Sequence, residues 1–112
     1  MDKNLSFLGL AMRAGAVVSG EFSVENAIRD GKAFLVLISE DASANTKKKF
    51  TDKCAYYQVP LRVYGTKETL GRALGKAQRT SAAVTGEGFA KALIEGLDKG
   101  AEKKADGENQ NL

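Results

Sequence analysis

The chain of 112 residues holds 17 Lys and Arg against 14 Asp and Glu, a formal net charge of +3, with 43% hydrophobic residues, one Pro, one Cys and no His. That length supports one folded domain and not two; the lone Cys54 excludes an internal disulfide, and an N-terminus without an apolar run gives no secretory signal, so a cytoplasmic protein is expected. Lack of His removes the commonest general base and metal ligand, leaves a zinc site dependent on carboxylates, and argues against an enzyme.

Asp2 can cap a first helix whose Leu5, Leu8 and Met12 form one apolar stripe before Gly15 ends it. Val17 and Val18 then form a very short strand. Gly20 breaks it, and Ser23 is a candidate N-cap for a helix with Val24, Ala27 and Ile28 on one side and Gly31 at its end. Phe34 to Ile38 is apolar on both faces, the pattern of a central strand covered by helices above and below, and far too short to cross a bilayer.

After Ser43 or Asn45 as cap, Phe50, Cys54 and Tyr57 make the apolar face of a helix whose remaining surface is largely Lys47, Lys48, Lys49 and Lys53. Leu61 and Val63 alternate with Arg62 and Tyr64, so this strand belongs near an edge, with Pro60 at its start. Thr66 can cap the next helix, which turns Leu70, Ala73 and Leu74 inward until Gly75. Ser81 to Thr85 is a short strand of small residues, and Phe89, Leu93 and Leu97 mark a last helix. From Asp98 the apolar pattern ends, which predicts a disordered polar tail over 98–112 and a single domain over 1–97. The tail has three Lys against four Asp and Glu, a net of −1, so residues 1–97 carry +4. A charge of that size suits a polyanion partner without demanding one.

A helix followed by four strand–helix units gives an α/β fold in which helix layers cover both faces of a four-stranded sheet, a three-layer α/β/α sandwich.

Three blocks carry a resemblance: Ala14-Gly15-Ala16-Val17-Val18-Ser19-Gly20, Ala27-Ile28-Arg29-Asp30-Gly31-Lys32-Ala33, and Leu35-Val36-Leu37-Ile38-Ser39-Glu40-Asp41-Ala42-Ser43. Over roughly residues 4–97 the chain resembles the kink-turn-binding ribosomal proteins. Asn45-Thr46-Lys47-Lys48-Lys49 and Thr85-Gly86-Glu87-Gly88-Phe89-Ala90 are most similar to their bacterial, YlxQ-like branch. The blocks are specific in combination and weak singly. The resemblance implies a mixed sheet and a monomeric, non-catalytic RNA-binding protein without cofactor or metal. Its partner would be structured RNA that bends sharply at an internal loop flanked by sheared G·A pairs, ribosomal RNA among the candidates.

Two elements read such RNA in this family: the N-terminus of the helix after the first strand, and the loop before the final strand. The first implies Gly20, Glu21, Phe22, Ser23 and Asn26 as RNA-binding residues; the second implies Lys76, Arg79, Thr80 and Ser81. In well-known members the first element reads Gly-x-Asn-Glu-x-x-Lys, and here only Gly20 is retained, with Phe22, Ser23 and Asn26 in place of the polar trio. A helix N-terminus still offers unpaired N–H groups and partial positive charge to a phosphate or base edge. Phe22 could stack on a splayed nucleotide or pack back as a hydrophobic staple, and Ser23 could cap the helix, contact RNA, or both. Lys76 and Arg79 could replace lost phosphate contacts or sit in an ordinary solvated loop.

Three other features are set aside. Gly71-Arg72-Ala73-Leu74-Gly75-Lys76 is too short for a P-loop, lacks the Ser or Thr after its Lys, and ends a helix instead of beginning one. Glu40-Asp41, at a strand end, is more simply a helix lead-in than an acid–base pair. Cys54 lies on an apolar face and reads as core. The competing function, favoured by the lost motif residues, is a protein-interaction module on the same scaffold.

Overall fold

The computed structural model describes the backbone of residues 1–110 and the side chains of residues 1–101. The elements follow the order α1 (Lys3–Arg13), β1 (Val17–Ser19), α2 (Glu21–Arg29), β2 (Leu35–Ile38), α3 (Ala44–Tyr57), β3 (Leu61–Val63), α4 (Lys67–Ala73), β4 (Ser81–Val84) and α5 (Glu87–Gln110). Local chemistry starts the helices where the sequence places caps. Asp2 accepts the Leu5 N–H at 2.7 Å for α1, Ser43 accepts the Thr46 N–H at 3.1 Å for α3, and Thr66 forms a reciprocal capping box with Thr69 for α4.

The sheet is mixed, in the order β1-β4-β2-β3: β2 and β3 run parallel, and β4 runs antiparallel to both β1 and β2. Successive strand residues face opposite sides, so β2 feeds two cores. Leu35 and Leu37 pack with Leu5 and Leu8 of α1, Leu70 of α4, and Leu93 and Leu97 of α5. Val36 and Ile38 pack on the other face with Val24 and Ile28 of α2 and with Phe50 and Cys54 of α3. The chain is therefore an α/β/α sandwich, and all four residues of β2 are buried. At the outer strand β3, Val63 is 48% exposed, as its alternating pattern predicts for an edge.

Two expectations need correction. Ser23 does not cap α2; Gly20 holds the cap position, and Ser23 lies exposed in the first turn because the helix begins at Glu21, three residues before the start that a Ser23 cap would give. Tyr57 is not core: it is the last residue of α3, where the chain turns at Gln58, and Val59 and Leu61 pack against that face in its place. At Asp98 the apolar pattern stops but the backbone does not, since α5 continues through Gln110. Asp98 itself is held by a two-point pair with Arg62 of β3, at 2.9 and 3.1 Å. Residues 111–112 lie outside the described residues.

Candidate nucleic-acid interface

Antiparallel pairing of β1 and β4 decides where the two candidate elements meet. Ser19 is paired with Ala82, so the end of β1 and the start of β4 lie side by side at one end of the sheet. The next residue on each strand extends the contact, with the Gly20 N–H donating to the Ser81 carbonyl at 3.2 Å. Sixty residues apart in sequence, the helix start and the loop share one surface.

Gly20 has φ 92° and ψ 149°, a region open essentially to glycine alone. Its carbonyl accepts the first intrahelical bond, from the Val24 N–H at 3.0 Å. The N–H groups of Glu21, Phe22 and Ser23 precede that bond and have no place in the helical ladder. Among the described residues no side chain caps them. Phe22 is 78% exposed, which excludes the staple packing and leaves its ring face to solvent. Asn26, one turn on, is half-buried, and its side-chain oxygen accepts from the Arg29 guanidinium at 2.6 Å.

Glu21 is engaged by a cation from α3. Lys49 of α3 donates to it at 3.1 Å and also pairs closely with Glu25. The Glu25 carboxylate first, then that of Glu21, raises the Lys49 pKa above the ordinary lysine value. One cation therefore gathers the two carboxylates nearest the start of α2.

The loop is anchored from behind. The Asp41 carboxylate accepts the Lys67 N–H at 2.9 Å at the start of α4, and this bond holds the Asp41 pKa below the usual carboxylate range. Asp41 is thereby accounted for by helix anchoring. Beyond α4 the chain folds back so closely that a Cβ on Gly71 would overlap the Ala77 carbonyl, while the Lys76 N–H donates to the Gly71 carbonyl at 2.8 Å. The Arg79 N–H reaches the Lys67 carbonyl at 2.9 Å, and its guanidinium donates to Ser19 Oγ at 3.2 Å and to the Gln78 carbonyl at 2.9 Å. Lys76 is exposed and Thr80 half-buried.

Ser81 is the exception in the candidate set. Its side chain is fully buried, and its hydroxyl has no partner among the described residues. It serves the surface through its carbonyl to Gly20, because residue 81 already lies inside the sheet, opposite Ile38 of β2. Among the described residues, no group of three or more His, Cys, Asp or Glu is placed to hold a metal ion, and no helix is long and apolar enough to cross a membrane.

Residues 2–94 match the sequence profile of the ribosomal protein L7Ae/L30e/S12e/Gadd45 family. The chain belongs to this family. It is similar to the RNA-binding protein YlxQ of Bacillus subtilis (strain 168), 55% identical over 91 residues that cover 81% of this chain and 91% of the relative. The RNA-binding protein YlxQ of Enterococcus faecium is 41% identical over 98 residues, covering 85% and 94%. Among solved structures, a protein with unknown function from Bacillus halodurans C aligns with a TM-score of 0.85 at 44% identity, over 88% of this chain and 99% of that one. A Giardia lamblia 15.5kD RNA binding protein shares the fold, with a TM-score of 0.74 at 22% identity, over 85% and 84%.

Within this family frame, four supporting residues escaped the sequence. Ser19 and Arg29 stand there only inside blocks of the resemblance, Lys49 as part of a cationic helix surface, and Gly71 as part of a failed P-loop. Only Gly71 carried a usable signal, since glycine inside a helix costs stability and so marks a place where something passes close.

Proposed function

We propose that this chain is a non-catalytic RNA-binding protein that recognises structured RNA of the kink-turn type, acting as a monomer in the cytoplasm, in association with ribosomal RNA and without cofactor. The Gly20 to Ser81 contact carries this proposal, because it makes one surface of the α2 N-terminus and the Lys76 to Thr80 loop. The RNA-binding names of the YlxQ relatives support it. On this reading the open N–H groups of α2 take a phosphate or base edge. Phe22 stacks on an unpaired base, and Lys76 and Arg79 neutralise phosphates. A protein that fits only the bent RNA draws the equilibrium toward it by differential affinity.

The test is a titration of the purified chain with a kink-turn duplex, a duplex lacking the G·A pairs, and a single strand. Preference for the first is expected, with log affinity falling linearly in log salt. Equal affinity for all three would reduce the role to general polyanion binding, and no binding at all would favour a protein partner on this scaffold.

Lys49 gives a second expected result. Lys49→Ala should leave stability nearly unchanged, since exposed pairs contribute little. It should nevertheless weaken RNA binding several-fold at low salt, by leaving Glu21 and Glu25 uncompensated beside the phosphates. Adding Glu21→Gln and Glu25→Gln should restore the affinity; failure of that rescue would show that Lys49 acts otherwise than by neutralising the two carboxylates.

A further inference from the structure

A helix turns by roughly 100° per residue, so positions i, i+4 and i+7 fall on one strip. On α2 those positions from its exposed aromatic onward are Phe22, Asn26 and Arg29, on the side away from the buried Val24, Ala27 and Ile28. Phe22 stands 78% exposed, and the Arg29 side chain is 62% exposed.

The contact between the last two fixes their chemistry. The guanidinium can only donate, so the atom it meets at 2.6 Å must be the amide oxygen of Asn26. The two hydrogens of the Asn26 amide nitrogen then remain available to donate. One lone pair of the amide oxygen is taken by Arg29, so the amide nitrogen is the part of Asn26 left wholly free for a ligand, and it donates. The remaining N–H groups of Arg29 can only donate. Asp30 lies 3.6 Å from the Arg29 Nε, an exposed pair too weak to hold the guanidinium against a competing acceptor.

We infer that the RNA-contacting surface extends one turn along α2, as a strip of Phe22, Asn26 and Arg29 in which Arg29 sets Asn26 as a hydrogen-bond donor toward acceptor atoms of the RNA. This rests on the RNA-binding reading above and goes beyond it by assigning Arg29 and by naming the ligand chemistry. The acceptors are oxygens of a phosphate or the O6 and N7 edge of a guanine. Arg29 is thus both a contact and a positioning residue for Asn26.

The experiment is a double-mutant cycle in the full chain with Arg29→Ala, Asn26→Ala and both together, plus Arg29→Lys, titrated against the kinked duplex over a range of salt. Because both side chains reach solvent, melting curves should show each variant folded. Arg29→Ala should weaken binding by about ten-fold, the equivalent of about 1.4 kcal/mol, and flatten the salt slope by about one charge. Arg29→Lys should keep the slope and lose part of the affinity. The double variant should lose less than the product of the two single losses, since each single change already breaks the pair. Two modified RNAs separate the sources of the acceptor: a methylphosphonate that abolishes the Arg29 effect marks a phosphate, and a 7-deazaguanosine that abolishes it marks a base edge. Wild-type affinity and slope in Arg29→Ala, or fully multiplicative losses in the cycle, would overturn the inference while leaving the kink-turn reading intact. Failure of the unaltered chain to prefer the kinked duplex would instead remove the reading on which it stands.

Discussion

Gly20→Val is expected to lower affinity for kinked RNA by at least about a hundred-fold, or about 2.7 kcal/mol, while the chain stays folded. The cause is backbone conformation and not crowding, since a Cβ at position 20 would meet nothing within 4 Å. A β-branched residue at φ 92° and ψ 149° is strained by roughly 1–3 kcal/mol. The chain can relieve that strain by rotating the start of α2 and giving up the Gly20 to Ser81 hydrogen bond, which disconnects the helix start from the loop. The two cores lie beyond this junction and should survive. Gly20→Ala should lose most of the same affinity, because it suffers the same φ. Titration beside thermal melting checks both variants; full-strength binding by Gly20→Ala would show that the junction is not the recognition surface.

Gly71→Ala should destabilise the fold, contrary to what helix propensity predicts. In an open helix interior, alanine is favoured over glycine by about 1 kcal/mol. Here the new Cβ overlaps the backbone carbonyl of Ala77, which has no rotamer to escape into. Overpacking of this kind typically costs about 1–3 kcal/mol, so the net should be unfavourable, with Gly71→Val worse. The loop should lift from α4, exposing the Lys76 and Arg79 N–H groups that bond to Gly71 and Lys67 and scattering both cations. Urea unfolding gives the stability, hydrogen exchange at Lys76 and Arg79 reports the loop, and RNA titration should show about ten-fold weaker binding, in keeping with two misplaced phosphate contacts. A more stable Gly71→Ala protein with unchanged exchange would mean that the loop readily moves aside.

The two predictions differ in how far they could be seen in advance. Gly20 is legible because a glycine between a strand and a helix marks a turn that needs an unusual φ. Gly71 is legible only in part: a glycine inside a helix marks a close approach, but its neighbour Ala77 meets it only once the loop has folded back. The same division runs through the molecule. The elements, their caps at Asp2, Ser43 and Thr66, and the double burial of Leu35 to Ile38 follow from periodicity and from local side-chain to backbone bonds, which act over three or four residues. Composition also foresaw the end of the apolar pattern at Asp98, though it could not say that the helix would continue or that Arg62 would meet it.

What the sequence by itself determined is the list of elements, the layered α/β class and, through the resemblance, the two segments that form the candidate surface. What only the tertiary structure decided is which way the side chains on those segments face. Phe22 stands outward, Ser81 is buried, Lys49 engages Glu21, Arg29 turns Asn26, and Ser19 holds Arg79. Apart from the Asn26 to Arg29 pair, these outcomes depend on partners separated along the chain by whole elements, brought together by the antiparallel pairing of β1 with β4 and the packing of α2 on α3. Hydrophobic periodicity fixes which face of an element is buried; it carries no information on which polar groups meet across two elements, since that is set by register and by helix packing.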